Sequence, residues 1–161
     1  MFFSEGAAEK REYDRMTITV NQLLNSKDGE IFTVEPETLV IDAIKMMDEK
    51  KVGALLVTAK NDDLVGIVSE RDYTRKVILK KRSSSKTKVS EIMTSNLKTA
   101  DPNQSLDECM VIMSHNHIRH LPIVKDGKAV GILSIMDVVK NIISEQEFTI
   151  EQLQHYITDT T

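Results

Sequence analysis

Two stretches of the chain set a hydroxyl and a carboxylate three residues apart, each just after an apolar run that opens on glycine: Gly66-Ile67-Val68-Ser69-Glu70-Arg71-Asp72 and Gly131-Ile132-Leu133-Ser134-Ile135-Met136-Asp137. A Ser-x-x-Asp pair at a helix start is a capping box, in which the hydroxyl accepts a backbone N–H and the acid returns the bond. The same pair has something to offer a ligand. A helix start presents unsatisfied N–H groups and a partial positive charge to an anion, and a carboxylate accepts from two vicinal hydroxyls at once. One occurrence alone favours capping, but a second at an equivalent place shifts weight toward paired binding sites.

The equivalence follows from an internal repeat. At an offset of 66, Thr33-Val34-Glu35-Pro36 lies over Thr99-Ala100-Asp101-Pro102, and Val40, Ala43, Ile44 and Met47 fall on Leu106, Cys109, Met110 and Met113. Leu55-Leu56-Val57 falls on Leu121-Pro122-Ile123. One residue is dropped in the following turn, so VGIVSERD (65–72) meets VGILSIMD (130–137) at offset 65, and upstream VNQLL (20–24) aligns with VSEIM (89–93). Each unit has roughly 60 residues, near the lower limit for a lone stable domain, so the two are expected to depend on each other.

Within a unit, the i, i+3, i+4, i+7 spacing from Val40 to Met47 predicts one face of an amphipathic helix. Pro36 keeps the residues before it extended. Gly53–Val57 and Leu64–Val68 read as a buried hairpin around a polar turn, and Ser69 opens a second helix with Tyr73, Val77 and Ile78 as its stripe. The order is β-α-β-β-α, twice, an α+β class. The predicted division is an N-terminal segment (1–16), repeat one (17–80), a basic Ser/Lys linker (81–88), repeat two (89–146) and a C-terminal tail (147–161).

Composition narrows the function classes. The 161 residues are 40% hydrophobic and 29% charged, an ordinary globular balance. The 25 acids against 21 Lys and Arg give a net charge of -4, which provides no global positive field for nucleic acid. Aromatics are 4% with no Trp, against eight Met, so a base-stacking platform is not expected. A single cysteine, Cys109, excludes an intramolecular disulfide and fits a reducing compartment. Apolar runs fall far short of the ~20 residues a membrane span needs, and the polar start MFFSEGAAEK argues against a signal peptide. Cytoplasmic location is the expectation.

The quoted segments, with GIVSERDY (66–73) and HIRHLPIVKDGKAVGILSIMD (117–137), resemble the paired cystathionine-beta-synthase (CBS) domains, or Bateman module. The similarity spans about residues 17–146, and SERDYTRKVILKKRSSSKTKVSEIMTS looks especially like stand-alone CBS-pair proteins of bacteria and plant organelles. The resemblance implies two pseudo-symmetric units packed through their sheets with two clefts between them that take adenosyl ligands: AMP first, then ATP or ADP, NAD and S-adenosylmethionine. By that pattern Asp72 and Asp137 hold ribose, while Ser69, Arg71, Arg119, His120 and Ser134 face phosphate. Thr33, Val52 and Ala54 would line the adenine pocket of the Asp137 cleft, and Thr99, Ile118 and His120 that of the Asp72 cleft. Arg119 would give the Asp137 cleft a cation its twin lacks, with Arg71 compensating at Asp72, where repeat two has Met136. The implied function is non-enzymatic: an energy- or redox-sensing module acting on a separate effector protein.

Other constellations have plainer readings. His115, His117 and His120 lack a standard zinc spacing, so no metal is expected. The tract 71–88 holds eight basic residues and one acid, read first as a solvated helix face plus flexible linker and second as a binder of polyphosphate or nucleic acid. No nucleophile elbow, P-loop or Cys-His pair appears, so no catalytic residue is assigned. Met46, Met47, Met110 and Met113 read as core filler or as an adaptable interface for a homodimer through the repeat helices, and EFTIEQLQHYI (147–157) as a helix able to pair protomers.

Overall fold

The computed structural model describes residues 18–26 and 30–159, so the N-terminal segment 1–16 lies outside the described residues. After helix α1 (Val20–Ser26), repeat one runs β1 (Thr33–Val34), α2 (Val40–Lys50), β2 (Ala54–Thr58), β3 (Leu64–Ser69) and α3 (Glu70–Tyr73), which continues through a π turn at Thr74–Ile78. Repeat two runs α4 (Leu106–His115), β4 (His120–Lys125), β5 (Lys128–Ser134) and α5 (Ile135–Asp159). β1 lies parallel to β2 with Thr33 opposite Leu56, and β2 and β3 are antiparallel with Ala54 opposite Ser69. In repeat two a single parallel bridge, Ala100 to Ile123, stands where β1 stood, beside the β4–β5 hairpin. The expected α+β order is present in both halves, with the opening strand of repeat two reduced to that bridge.

The helical stripes point inward as their spacing requires. Val40, Ala43 and Met47 are buried in one cluster, Leu106, Cys109 and Met113 in the other. α2 ends at Lys51, whose φ of 57° turns the chain into β2, and His117 repeats this turn with φ 51°. Met46 and Met110 pack against the two clusters, so the repeat-helix methionines serve the cores, and among the described residues the apolar surface left exposed lies chiefly on α5.

The sequence units and the packed units differ by one exchanged segment. Val20 and Leu23 of α1 are buried with repeat two, while Val89 and Ile92 are buried with repeat one. The exchange is symmetric: Leu24 lies over Gly131, and Met93 lies over Gly66, where a side chain would have no room. Backbone bonds reinforce it. α2 has no side-chain cap at Leu39; the linker carbonyls of Thr87 and Ser84 accept from Val40 and Ile41 at 2.9 and 3.0 Å, as the Ile18 carbonyl accepts from Leu106 at 3.1 Å. The 81–88 linker is therefore docked on repeat one, contrary to the expectation of a flexible spacer. Its Ser content supplies contacts instead of slack, with Tyr73 Oη and Ser84 Oγ 2.9 Å apart.

The halves also meet at one edge, where the Lys128 ammonium donates to Asp63 Oδ1 at 2.7 Å and to the Asn61 carbonyl. The second repeat's closing helix passes through 146 without a break and runs to Asp159.

Candidate ligand clefts

Both capping boxes form. Asp72 N donates to Ser69 Oγ at 3.2 Å, and Asp72 Oδ2 accepts from Ser69 N at 3.0 Å and from Ser69 Oγ at 3.1 Å. In repeat two, Asp137 N donates to Ser134 Oγ at 3.1 Å and Asp137 Oδ2 accepts from Ser134 N at 2.9 Å. The capping and ligand readings are compatible, because a carboxylate has about four lone-pair sites over two oxygens and the caps use Oδ2 alone, with Lys76 also close to Asp72 Oδ1. The box fixes each carboxylate at the mouth of a cleft.

Two clefts lie where the repeats meet. One, of about 530 Å3, is lined by Ser134 and Asp137 together with Val52, Gly53 and Ala54 from the other repeat. The second, of about 470 Å3, is lined by Ser69, Arg71 and Asp72 with Ile118, Arg119 and His120. Both volumes suit a nucleoside-sized ligand. Val52 and Ala54 thus stand opposite Asp137, and Ile118 and His120 opposite Asp72.

Thr33 and Thr99 line neither cleft. Both are exposed, Thr33 being in the strand paired to β2, and the chain reaches the clefts earlier, through Glu30, Ile31 and Phe32 on one side and Asn96, Leu97 and Lys98 on the other. These segments were missed because they have no periodicity. Only their equivalence under the offset of 66 could have marked them.

Arg119 is not private to the Asp137 cleft, since Gly53, Arg119 and His120 line both. They sit at the pseudo-twofold junction: a Cβ on Gly53 would lie 3.6 Å from the His120 ring. Each cleft has cations of its own besides, Lys51 and Lys140 around Asp137, and Arg71 and Lys98 around Asp72. The asymmetry lies in the walls. Phe32, Ile135 and Met136 make the Asp137 cleft the more apolar, whereas Lys98, Glu70 and Arg71 occupy the aligned places at Asp72.

Electrostatics distinguish the residues further. Burial pushes the His120 imidazole below its usual pKa, opposed by the nearby Asp137 and aided by Arg119, so the ring is neutral near pH 7. Lys76 Nζ lies 3.0 Å from Asp72 Oδ1 and donates to the Ile92 carbonyl at 2.8 Å. Cys109 is buried, and desolvation raises its thiol to about 11, consistent with a small core side chain. Of the eight basic residues in 71–88, Lys76, Arg82 and Lys88 are paired with Asp72, Glu91 and Glu37, which leaves less of that tract to meet a polyanion. Among the described residues no His, Cys, Asp and Glu cluster suits a metal, and no helix is long and apolar enough to cross a membrane.

The CBS domain family matches the chain twice, over residues 22–78 and 89–144. CBS domain-containing protein CBSX3, mitochondrial, of Arabidopsis thaliana is 38% identical over 147 residues, covering 86% of this chain and 71% of the relative. A solved CBS-domain protein of Burkholderia ambifaria MC40-6 is 49% identical, with a TM-score of 0.76 over 80% of this chain and 96% of that one. The CBS domain pair of protein MJ0100, solved with 5'-methylthioadenosine and S-adenosyl-L-methionine, shares the fold at 22% identity and a TM-score of 0.71, over 80% of this chain and 98% of that one. Two matched domains in tandem, the repeated β-α-β-β-α order and the clefts between the halves all agree: the chain belongs to the CBS domain family and is folded as a Bateman module.

Proposed function

We propose that the protein is a non-enzymatic, adenosyl-ligand-binding regulatory module that reports energy or redox state to a separate effector protein in the cytoplasm. The observation behind this reading is the pairing, in each cleft, of a capped carboxylate at a helix start with the Arg119–His120 junction. Asp72 and Asp137 accept from ribose hydroxyls, Ser69 and Ser134 with the helix-start N–H groups face phosphate, and Arg71, Arg119 and His120 complete the anion site. Val52 and Ala54 form one adenine wall and Ile118 the other. AMP is the first choice, because each cleft joins one ribose carboxylate to a short cationic set; ATP or ADP, NAD and S-adenosylmethionine follow. The ligands of the MJ0100 pair are of the same adenosyl class.

A ligand changes signalling only through its differential affinity for two arrangements of the module. Both clefts take walls from both repeats, so occupancy bears on how the halves sit together. The reading includes a homodimer as the signalling unit. A thermal-shift and calorimetry panel of AMP, ADP, ATP, NAD, NADH and S-adenosylmethionine tests it. A ligand at about 100 times its Kd should stabilise the fold by about 2.7 kcal/mol; no shift with any adenosyl compound removes the proposal.

A further inference from the structure

The two clefts have one arginine between them at their junction. At the offset of 66 Arg119 aligns with Gly53, so the pseudo-twofold junction carries a single guanidinium where a symmetric pair would carry two, and both residues line both clefts. Backbone bonds pin the two positions. The Gly53 carbonyl accepts from Glu70 N at 3.0 Å and the Arg119 carbonyl from Ile135 N at 2.9 Å, each tying a junction residue to the helix start of its own repeat. Only the Arg119 side chain is left to choose a cleft. It is exposed, and among the described residues no ion pair holds its guanidinium. His120 beside it adds no second charge near pH 7, because burial keeps the ring neutral.

We infer that the two clefts oppose each other for phosphate-bearing adenosyl ligands, and not for phosphate-free ones, by competing for Arg119. This rests on the nucleotide reading above and adds how each site regulates the other. A guanidinium is a planar fork suited to one bidentate phosphate bond. A phosphate monoester carries a charge of about -1.5 to -2 at pH 7, so once the first ligand has taken the fork the junction is net negative. The second phosphate then meets repulsion without the shared cation. It keeps only the cations of its own cleft, Lys51 and Lys140 around Asp137 or Arg71 and Lys98 around Asp72. A nucleoside brings no charge to the junction, so its arrival in one cleft leaves the other's affinity unchanged. The coupling is reciprocal: whichever cleft fills first lowers the affinity of the other by the same factor. The arrangement therefore favours a module holding a nucleotide in one cleft and a phosphate-free adenosyl ligand in the other.

Calorimetry of the full chain with AMP and with adenosine tests this. Asp72→Asn and Asp137→Asn each weaken one cleft, so each variant reports the affinity of the other cleft filled first. The product of the two stepwise AMP association constants of the wild type should fall about tenfold or more below the product of those single-cleft constants, the loss of one charge-assisted bond. For adenosine the two products should agree. Arg119→Gln should weaken the first AMP and bring the AMP products together. Gly53→Arg should also bring them together, by strengthening the second AMP, because a Cβ at 53 meets the His120 ring at an ordinary 3.6 Å and a second fork then serves the second phosphate. Equal products for AMP in the wild type overturn the inference and leave the nucleotide reading standing. So does a coupling that survives Arg119→Gln, one that adenosine shares, or a first AMP that strengthens the second, as a fork bridging two phosphates would produce. Failure of both AMP and adenosine to bind overturns the inference and the nucleotide reading together.

Discussion

The two clefts share one frame and differ in what fills it. Each has a capped carboxylate at a helix start on one repeat and a three-residue wall from the other, and they meet at Arg119 and His120. Around Asp137 the aligned positions hold Phe32 and Met136, while around Asp72 they hold Lys98 and Arg71. Behind the carboxylates the helices differ too: α3 passes into a π turn with Lys76 against Asp72, and α5 continues as unbroken α-helix with Asn141 at the aligned place. The lesson is that duplication preserved the part that caps a helix, which folding itself requires, while the walls and flanking charges diverged. In the nucleotide reading this favours the more highly charged ligand at Asp72 and the more apolar one at Asp137.

The largest effect expected is on that difference. Asp72→Asn and Asp137→Asn keep a side-chain oxygen for the cap but remove the charge that, in the nucleotide reading, strengthens bonds to ribose hydroxyls, worth about 1.5–3 kcal/mol. Each should weaken binding in its own cleft by about ten- to a hundredfold and leave the other intact. Calorimetry of both variants with AMP and ATP would show this as the loss of one site at a time. Equal loss at both sites would mean that the clefts act as one.

Next in size is the exchanged packing. A Cβ on Gly66 would lie 2.7 Å from Met93 Sδ and 3.1 Å from the Thr94 carbonyl, which is held by a bond from Ile67 N. On Gly131 it would meet side-chain atoms of Leu24, the two methyls at 2.7 and 2.9 Å and Cγ at 3.4 Å. Overpacking of this kind costs about 1–3 kcal/mol. Gly66→Ala should fall toward the upper end, because backbone cannot step aside, and Gly131→Ala toward the lower end. Urea unfolding measures both, and the reverse order would remove the distinction between the two exchanges.

The apolar spacing from Val40 to Met47 and from Leu106 to Met113 was legible because a helix face is a local periodicity, and those residues are buried as it requires. The capping boxes were legible because they span three residues. The exchange of α1 and Val89–Met93 was not: the two segments align equally well with each other, and only tertiary packing decides which core each joins. Thr33 and Thr99 were misplaced because the irregular segments ahead of them form the walls instead. The π turn left no mark in composition, and although 147–157 reads as a helix, its fusion with the closing helix of repeat two was hidden where the resemblance ended.

His120 gives a smaller, pH-dependent effect. Its folded pKa lies below the unfolded value of about 6.5 because burial disfavours the charged ring. Between those two values the unfolded chain binds the extra proton, so stability is full above about pH 6.5 and falls as pH drops through the window. The melting temperature should therefore decline from pH 6.5 toward the folded pKa, and His120→Gln should flatten that slope. In the nucleotide reading, a phosphate beside the ring opposes this shift, so affinity for AMP should rise on acidification in the wild type and not in the variant.

The smallest effect concerns Lys76. Its contact with Asp72 is i to i+4 in the favourable order, acid first, and partly exposed, with 43% of the lysine side chain and 15% of the aspartate accessible. Such a pair contributes at most about 1 kcal/mol, and the bond from Lys76 to the Ile92 carbonyl ties it to the exchanged segment as well. Lys76→Met should therefore lower the unfolding free energy by about 0.5–1 kcal/mol, with the loss shrinking in high salt as screening removes the ionic part. Asn141→Met, at the aligned position of α5, should stay within about 0.5 kcal/mol of wild type. If the two substitutions cost the same at every salt concentration, Lys76 does no more for its repeat than Asn141 does for the other, and the asymmetry of the clefts is confined to their walls.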